Sequence, residues 1–266
     1  MASNRIGLNM VTIQDGNNAE KLLENLNRIR QAGFQSVGLW VSTIQGWLDA
    51  GNLLSDLASE LKERVLRVDE LCFVGVLDDK GKVADQTRVF EWASELRAPA
   101  VISIYGKPDA PLAKVRSDWA EFVSKIEDTG VEAAFEFIGP WPQYNSPLQA
   151  WEVIKEGPEA GTMVFDTYHF WRGGCDLTQI GKFPGNRVSL IHLNDVKNVK
   201  RETSNDADRT YPGEGVIPLK QILTGLVKNG FTGPLSVEIF GEVQKLPPDE
   251  VCKRACEATK KLLKSL

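Results

Sequence analysis

Short apolar segments rich in Val, Ile and Phe alternate strictly with longer segments of helical periodicity along this chain. This alternation constrains the fold most, because strands that are apolar throughout are typical of a parallel sheet covered by helices. Eight strands are predicted, over residues 5–10, 36–40, 71–77, 100–106, 131–139, 162–169, 188–195 and 234–240. The order of the segments therefore predicts an α/β protein.

The intervening segments carry the apolar stripes of amphipathic helices. Leu22, Leu26 and Ile29 mark one such stripe within residues 19–31, and a last helix is predicted from about residue 248. Three helices are predicted to end at a glycine that caps them in the left-handed conformation, at Gly33, Gly130 and Gly230. Eight strand–helix units in 266 residues match a (β/α)8 TIM barrel in number and size, with an open doubly wound sheet as the alternative. No linker divides the chain, so we expect one domain over residues 1–266.

Composition excludes several partners. The chain has 31 Lys and Arg against 36 Asp and Glu, a net charge of -5, and no basic stripe that would neutralise a nucleic acid backbone. No stretch approaches the roughly 20 apolar residues of a membrane span, and charged residues interrupt the first thirty positions, so we expect a cytoplasmic protein.

The four cysteines form no Cys-x-x-Cys pair, and we expect reduced thiols, with Cys252 and Cys256 packed in the core.

Polar side chains interrupt the apolar runs of the last four predicted strands. They are Glu136, Asp166, His192 and Glu238. The carboxyl ends of barrel strands converge on one rim, so these side chains can meet there. A buried charge is costly unless it is paired or binds a metal, which makes four separate hydrogen-bonded residues the less favoured explanation. Three carboxylates and an imidazole suit one divalent ion, namely Mn²⁺, Mg²⁺, Co²⁺ or Zn²⁺.

Other residues near the same strand ends are candidates for substrate binding. His169 follows Asp166 by three residues, a position that suits a substrate contact or a hydrogen bond to a metal ligand. Flat aromatic side chains could form the wall of a pocket for a sugar or cyclitol ring, with core packing as the alternative for each. They are Trp40, Trp47, Trp141 and Trp171. The glycines at 173–174 and in the Pro-Gly-Glu-Gly segment at 212–215 match no phosphate-binding motif and are interpreted as turns.

Five motifs together carry a family resemblance. They are Phe135-Glu136-Phe137, Phe165-Asp166-Thr-Tyr-His169, Ile191-His192-Leu193-Asn-Asp195, Arg209-Thr-Tyr-Pro-Gly-Glu-Gly215 and Ser236-Val-Glu238-Ile-Phe240. Over nearly its whole length the chain resembles the xylose isomerase-like superfamily of sugar isomerases and epimerases. Residues 165–174 and 212–218 look most like the inosose isomerase branch, which interconverts ketones of inositol.

The resemblance implies a site and a reaction. A divalent ion would be held by Glu136, Asp166, His192 and Glu238, and the two glutamates would act as acid and base on the substrate carbon. His169 and Arg209 would hold substrate oxygens, and Trp171 is predicted to bind substrate with them. The expected reaction on a keto-sugar or inosose is proton abstraction next to the carbonyl, through an enediolate that the metal stabilises.

Alternative functions remain open at this level. A metal-dependent dehydratase or lyase of a keto-cyclitol or 3-keto-glycoside begins with the same enolisation. A sugar-binding barrel without catalysis, or a metal-stabilised interaction scaffold, would not need two opposed glutamates. The zinc-dependent abasic-site endonucleases of the superfamily need many histidines, whereas this chain has two. The resemblance is compatible with a homo-oligomer, and the substrate, its phosphorylation and the choice of metal stay undecided.

Overall fold

The computed structural model describes residues 5–76 and 83–266. Ten strands occur in this part of the chain: β1 Ile6–Asn9, β2 Ser36–Trp40, β3 Arg67–Val76, β4 Ala100–Tyr105, β5 Glu132–Glu136, β6 Gly161–Asp166, β7 Val188–Leu193, β8 Asp195–Val196, β9 Arg209–Thr210 and β10 Leu235–Val237. Eight of them form a closed barrel in which β1 pairs in parallel with both β2 and β10. The predicted (β/α)8 TIM barrel is confirmed, and β8 and β9 form a separate antiparallel pair.

Amphipathic helices cover the outside of the barrel. The α-helices of the described residues are α1 Leu22–Ala32, α2 Val41–Asp49, α3 Leu54–Glu63, α4 Val83–Glu95, α5 Leu112–Ser124, α6 Pro147–Ile154, α7 Thr167–Arg172, α8 Leu219–Lys228 and α9 Pro248–Leu263. The main core lies between these helices and the strands. A smaller apolar layer that includes Ile102, Val164 and Leu190 fills the barrel interior. The last helix begins at Pro248, as predicted.

Several strands differ from their predicted bounds. The third begins at Arg67, four residues earlier than predicted, and the predicted residue Leu77 lies outside the described residues. The last barrel strand covers only Leu235–Val237, so that Glu238 directly follows it. Apolar side chains continue past the ends of the hydrogen-bonded ladder, because the loops at the rim are also buried.

The prediction of a strand over residues 162–169 is wrong in its second half. β6 ends at Asp166, and α7 begins at Thr167. The Asp166 side chain accepts a hydrogen bond from the backbone N–H of His169 at 2.7 Å, which caps the helix at its N-terminus. His169 therefore lies on a short helix above the strand end. Apolar periodicity missed this helix because it is only six residues long and its first four residues are buried.

The predicted glycine caps are confirmed. Gly33, Gly130 and Gly230 have φ angles of 96°, 68° and 100°, in the left-handed region that glycine adopts without strain. The predicted helix over residues 19–31 begins with a 3-10 turn at Ala19–Lys21 and continues as α1.

The four cysteines are free thiols, as expected, and Cys252 and Cys256 are buried in the core. None of the helices in the described ranges is both long and apolar enough to cross a membrane.

Candidate active site

A cavity of about 210 Å³ opens at the end of the barrel where the parallel strands terminate. Its polar lining includes Glu136, His169, His192, Asp206, Arg209 and Glu238. Its apolar lining includes Trp40, Phe73, Ile102, Ile138 and Phe240. Drug-sized ligands usually occupy pockets of about 300 Å³ or more, so this cavity suits a smaller molecule. Two larger cavities, of about 430 and 730 Å³, lie at the opposite end of the barrel near Arg5 and Arg67.

The four predicted metal ligands meet at this end of the barrel. Glu136 and Asp166 are the last residues of β5 and β6, His192 lies in β7, and Glu238 follows β10. One donor atom from each lies within 4.8 Å of the donor atoms of the other three, and all four residues are buried. Residues separated by more than 100 positions thus share one site because adjacent barrel strands carry them.

His192 presents its two ring nitrogens to different carboxylates. Nδ1 lies 3.2 Å from Oε1 of Glu136 and 3.4 Å from Oε2 of Glu238. Nε2 lies 2.6 Å from Oε2 of Glu70 on β3. Both nitrogens of the imidazole therefore lie next to carboxylates, and Nδ1 is the nitrogen that faces Glu136 and Glu238, two of the other predicted metal ligands.

The site carries an excess of negative charge. Burial, together with the negative charges of Glu136 and Asp166, raises the pKa of Glu238 to about 8, although His192 and Arg209 oppose the rise. Burial alone would lower the pKa of His192, but the facing Glu238 and Glu70 carboxylates raise it well above its usual range. Both pKa values are thus raised, as expected in a cluster of carboxylates that a further positive charge would stabilise.

Arg209 provides part of the compensating charge. Its Nη1 lies 3.1 Å from Oδ2 of Asp166 and 3.5 Å from Oε2 of Glu238. The guanidinium stacks between the rings of Tyr168 and Phe240, at 4.4 and 5.0 Å from their centroids. β9 brings Arg209 to the cavity through its pairing with β8. The predicted substrate-binding arginine thus lies at the cavity wall, where it also orients two predicted metal ligands.

His169 lies at the cavity wall on α7. Burial lowers its pKa, and this effect outweighs the attraction of Asp166 for the protonated ring. Its Nδ1 is buried and has no hydrogen-bond partner among the described residues. A neutral imidazole with an unsatisfied nitrogen is suited to a hydrogen bond with a bound polar molecule.

The predicted aromatic wall is only partly assembled. Trp40 lines the cavity, with its Nε1 donating to Asn9 at 2.8 Å and its ring edge-on to Phe73. Trp47 donates to the carbonyl of Leu53 outside the cavity, and Trp141 is not part of the wall. Trp171 packs its ring against Tyr168 at 6.3 Å and also lies outside the wall, so its substrate contact remains a prediction without geometric support.

The glycine-rich segment at 212–215 is organised by a carboxylate of the chain itself. Asp195 accepts hydrogen bonds from the backbone N–H groups of Gly213, Gly215 and Ile217 at 2.9–3.0 Å. These amides are therefore already satisfied by an internal anion, in agreement with the interpretation of the segment as a turn.

Sequence analysis missed three residues of the site. Glu70 is fully buried and bonds to His192, while Asn9 donates from Nδ2 to both Glu70 and Glu238 at 3.1 and 3.3 Å. Cys72 lines the cavity and accepts from the same amide at 3.2 Å. The sequence contains one indication of a polar site on this strand, namely the acidic pair at 69–70 between apolar residues. Because the third strand is predicted to begin only at residue 71, this pair falls outside it.

Comparison with known proteins identifies the class. The model of the family described as "Xylose isomerase-like TIM barrel" matches residues 26–262, and the chain belongs to that family. The resemblance to this superfamily that the motifs carry is thereby confirmed.

Two related sequences and one crystal structure are similar to this chain. An inosose isomerase from Bacillus velezensis is 28% identical over 221 residues, which cover 77% of this chain and 79% of the relative. A 3-dehydroshikimate dehydratase from Pseudomonas aeruginosa is 24% identical, over 85% of this chain and 37% of the relative. The crystal structure of the IOLI protein with a bound zinc atom has a TM-score of 0.87 and 22% identity, covering 98% of each chain.

Proposed function

We propose that the protein is a divalent-metal-dependent isomerase or epimerase that acts on an inosose or a related keto-sugar. The observation that carries this proposal is the convergence of Glu136, Asp166, His192 and Glu238 at the catalytic end of the barrel. The similarity to inosose isomerases supports the class of substrate.

The donor set fits a divalent cation. The carboxylates and the imidazole are hard to borderline ligands, which suit Mn²⁺, Mg²⁺, Co²⁺ or Zn²⁺, and the raised pKa of Glu238 marks the negative charge that such an ion would offset. When bound, the ion would polarise the substrate carbonyl and stabilise the negative charge that develops on its oxygen. The zinc atom bound to the structurally similar IOLI protein supports a divalent metal in this protein.

The two glutamates are the proposed acid and base. One of them removes the proton from the carbon next to the carbonyl, and the electrons of the broken C–H bond form the carbon–carbon double bond of an enediolate. The other returns a proton to the opposite face of the same carbon in epimerisation. In isomerisation the proton goes to the neighbouring carbon, while the hydroxyl proton of the enediolate moves to the former carbonyl oxygen. Glu136 and Glu238 both line the cavity, which gives each of them access to substrate. Isomerisation and epimerisation can therefore use one site.

His169 and Arg209 are the proposed substrate-binding residues. The unsatisfied Nδ1 of His169 provides a hydrogen-bonding position for a hydroxyl group, and Arg209 forms part of the wall of the same cavity. A small polyhydroxy ring matches a cavity that combines polar groups with flat aromatic surfaces.

The acidic composition of the chain supports a small molecule as the partner, and we place the enzyme in the cytoplasm as a homo-oligomer.

A dehydratase is the second candidate function. The 3-dehydroshikimate dehydratase relative favours it, because loss of water next to a ketone also begins by removal of an α-proton. The two reactions differ in whether the hydroxyl group leaves after enolisation.

One experiment tests the reaction and separates the two candidates. The metal-loaded protein is incubated in deuterated water with a panel of inososes and keto-sugars, and NMR follows deuterium incorporation and product formation. We expect solvent deuterium at the carbon next to the carbonyl together with an isomeric ketone. An unsaturated ketone would instead establish dehydration, and absence of exchange across the panel would contradict enolisation.

Glutamine variants test the acid–base pair. We expect Glu136→Gln and Glu238→Gln to lower turnover by about 10²-fold or more, because the amide cannot take a proton. Glu132→Gln is the matched control, since Glu132 lies on the same strand as Glu136 but at its opposite end, where it accepts from Ser189. Near wild-type turnover in both site variants would contradict proton transfer by this pair.

A further inference from the structure

The side chains of Glu70 and His192 meet inside the barrel from opposite sides. β3 carries Glu70 and β7 carries His192; β4, β5 and β6 separate them on one side of the closed sheet, and β2, β1 and β10 on the other. Oε2 of Glu70 lies 2.6 Å from Nε2 of His192, and both side chains are at most 1% exposed. The contact therefore crosses the barrel interior.

The rest of the structure holds the Glu70 carboxylate in place. Its second oxygen, Oε1, accepts from Oγ of Ser236 at 2.6 Å and from Nδ2 of Asn9 at 3.1 Å. On the adjacent strand β2, a Cβ at Gly38 would overlap Oε1 of Glu70, so the glycine leaves the space that this oxygen fills. The donors from Ser236 and Asn9 on this oxygen form the environment of an ionised carboxylate, which can only accept hydrogen bonds.

The two edges of His192 therefore have different roles. A carboxylate that only accepts keeps a proton on Nε2, so that the neutral imidazole that binds a metal presents its Nδ1 lone pair on the side of Glu136 and Glu238. We propose that Glu70 is a positioning residue of the metal site, which fixes His192 in the tautomer and orientation whose Nδ1 binds the divalent ion. This inference rests on the proposed function. Such a carboxylate also makes the imidazole a stronger ligand.

Interatomic distances favour metal binding through Nδ1 of His192 over metal binding through Nε2. Glu70, Cys72 and His192 also bring donor atoms within 4.8 Å of one another, so an ion between them would have to bind through Nε2. Ligands that bind one ion at about 2.0–2.2 Å lie about 3 Å or more apart. The 2.6 Å separation of Oε2 and Nε2 is that of a hydrogen bond, whereas the 3.2 and 3.4 Å from Nδ1 to Glu136 and Glu238 suit ligands that share an ion.

The decisive measurement is metal affinity, without turnover. The purified protein is stripped with chelator, and the dissociation constant for Zn²⁺ is determined by competition with a chelating dye. We expect Glu70→Gln to bind Zn²⁺ about 10–100-fold more weakly, because its amide can also donate to Nε2 and admit the wrong tautomer. Asp69→Asn is the matched control: Asp69 is the adjacent, equally buried carboxylate, but it pairs with Arg5 and Ser36, and this variant should keep wild-type affinity.

Two further readouts keep the test independent of folding. Ser236→Ala retains the charge of Glu70 but removes one of its donors, so we expect a smaller loss of affinity with the same sign. The chain contains two histidines, and the ¹⁵N signals of their rings in the Zn²⁺-loaded protein identify which nitrogen of His192 carries the proton. We expect the proton on Nε2 in the wild type, hydrogen-bonded to Glu70.

The outcomes distinguish the inference from the function on which it rests. Unchanged affinity in both the Glu70→Gln and Ser236→Ala variants, or a proton on Nδ1, would overturn the positioning role alone. A thiolate-to-cobalt absorption band in the Co²⁺-substituted protein would also overturn it, because the ion would then bind Cys72. A wild-type protein that binds no Zn²⁺ would overturn both this inference and the proposed function.

Discussion

Consecutive carboxylates on β3 show how one strand serves two ends of the barrel. Asp69 accepts from Nε of Arg5 at 2.7 Å, next to the larger cavities at the amino ends of the strands. Glu70 points toward His192 instead, and the register between β2 and β3 shifts at this pair, because Val68 and Glu70 pair with the consecutive residues Val37 and Gly38 and Asp69 is the extra residue of a β-bulge. Burial raises the pKa of Asp69, although its hydrogen bonds from Arg5 and Ser36 oppose the rise. Two buried acids of similar chemistry thus stabilise different parts of the protein.

The two histidines should separate metal binding from substrate binding. We expect His192→Ala to lose the metal or hold it weakly, since Nδ1 faces the carboxylate cluster. His169→Ala should keep the metal and lose substrate binding or turnover, because His169 lies at the cavity wall with an unsatisfied Nδ1. Elemental analysis of each purified variant measures the metal content. Equal loss in both would show that the two roles are wrongly assigned.

Asp118 on α5 should make stability depend on pH. Burial would raise its pKa, but hydrogen bonds from Lys114 at 2.9 Å and from Tyr105 at 2.7 Å outweigh burial and lower it. A carboxylate whose pKa is depressed by folding contributes stability above its unfolded pKa of about 4, and this contribution is lost as the pH falls through the folded pKa. We therefore expect Asp118→Asn to lower the free energy of unfolding by about 1 kcal/mol at pH 7.

Urea unfolding from pH 7 to below pH 4 measures this difference. The gap between Asp118→Asn and the wild type should narrow as the wild-type carboxylate becomes protonated. A constant difference over the whole range would mean that the charge of Asp118 does not cause it.

At the scale of single elements, chain reversals use glycine where the backbone requires it. Gly130 ends the 3-10 turn Glu127–Thr129 that follows α5, and its N–H bonds to the carbonyl of Glu127. The N-terminus of α7 is instead capped by the side chain of Asp166, which is also one of the four proposed metal ligands. The same carboxylate therefore fixes the local fold and contributes to the site.

Gly130→Ala should be destabilising for a conformational reason alone. The φ of 68° is unfavourable for alanine, while no atom lies within 4 Å of the position its Cβ would take. We expect the free energy of unfolding to fall by about 1–2 kcal/mol. Gly181→Ala is the control, because Gly181 is also exposed and also has open space at its Cβ position, but its φ is not in the left-handed region. Denaturant unfolding of both variants measures the two changes in the free energy of unfolding. Equal changes would exclude the left-handed strain as the cause.

The whole molecule places its apolar core and its polar site in separate regions. The interface between helices and strands is apolar, and most of the buried charged side chains lie at or near the site, although Asp69 lies toward the opposite end with Arg5. A barrel that holds several buried carboxylates around one imidazole and one guanidinium gives up stability there, which a bound cation restores.

Metal should accordingly stabilise the fold as a whole. At a free Zn²⁺ or Mn²⁺ concentration about 100 times the dissociation constant, the linkage adds about 2.7 kcal/mol, because the ion binds the folded state. For a chain of this size we expect a rise in Tm of about 5–10 °C over the chelator-treated protein. Calorimetry of the wild type and of His192→Ala measures it, and the variant should lose most of the rise. The same rise in both would place the metal elsewhere.

The sequence alone determined the barrel, the glycine caps and four of the site residues. Alternating apolar and amphipathic segments are local patterns, and strand ends converge in any closed parallel barrel, so Glu136, Asp166, His192 and Glu238 could be grouped without coordinates. Tertiary structure alone decided the contact of Glu70 with His192, which joins opposite sides of the barrel across 122 positions of the chain. It also decided which aromatic side chains reach the cavity, since strand position does not set the direction of a loop residue. Packing across the barrel is a long-range property that no local periodicity encodes.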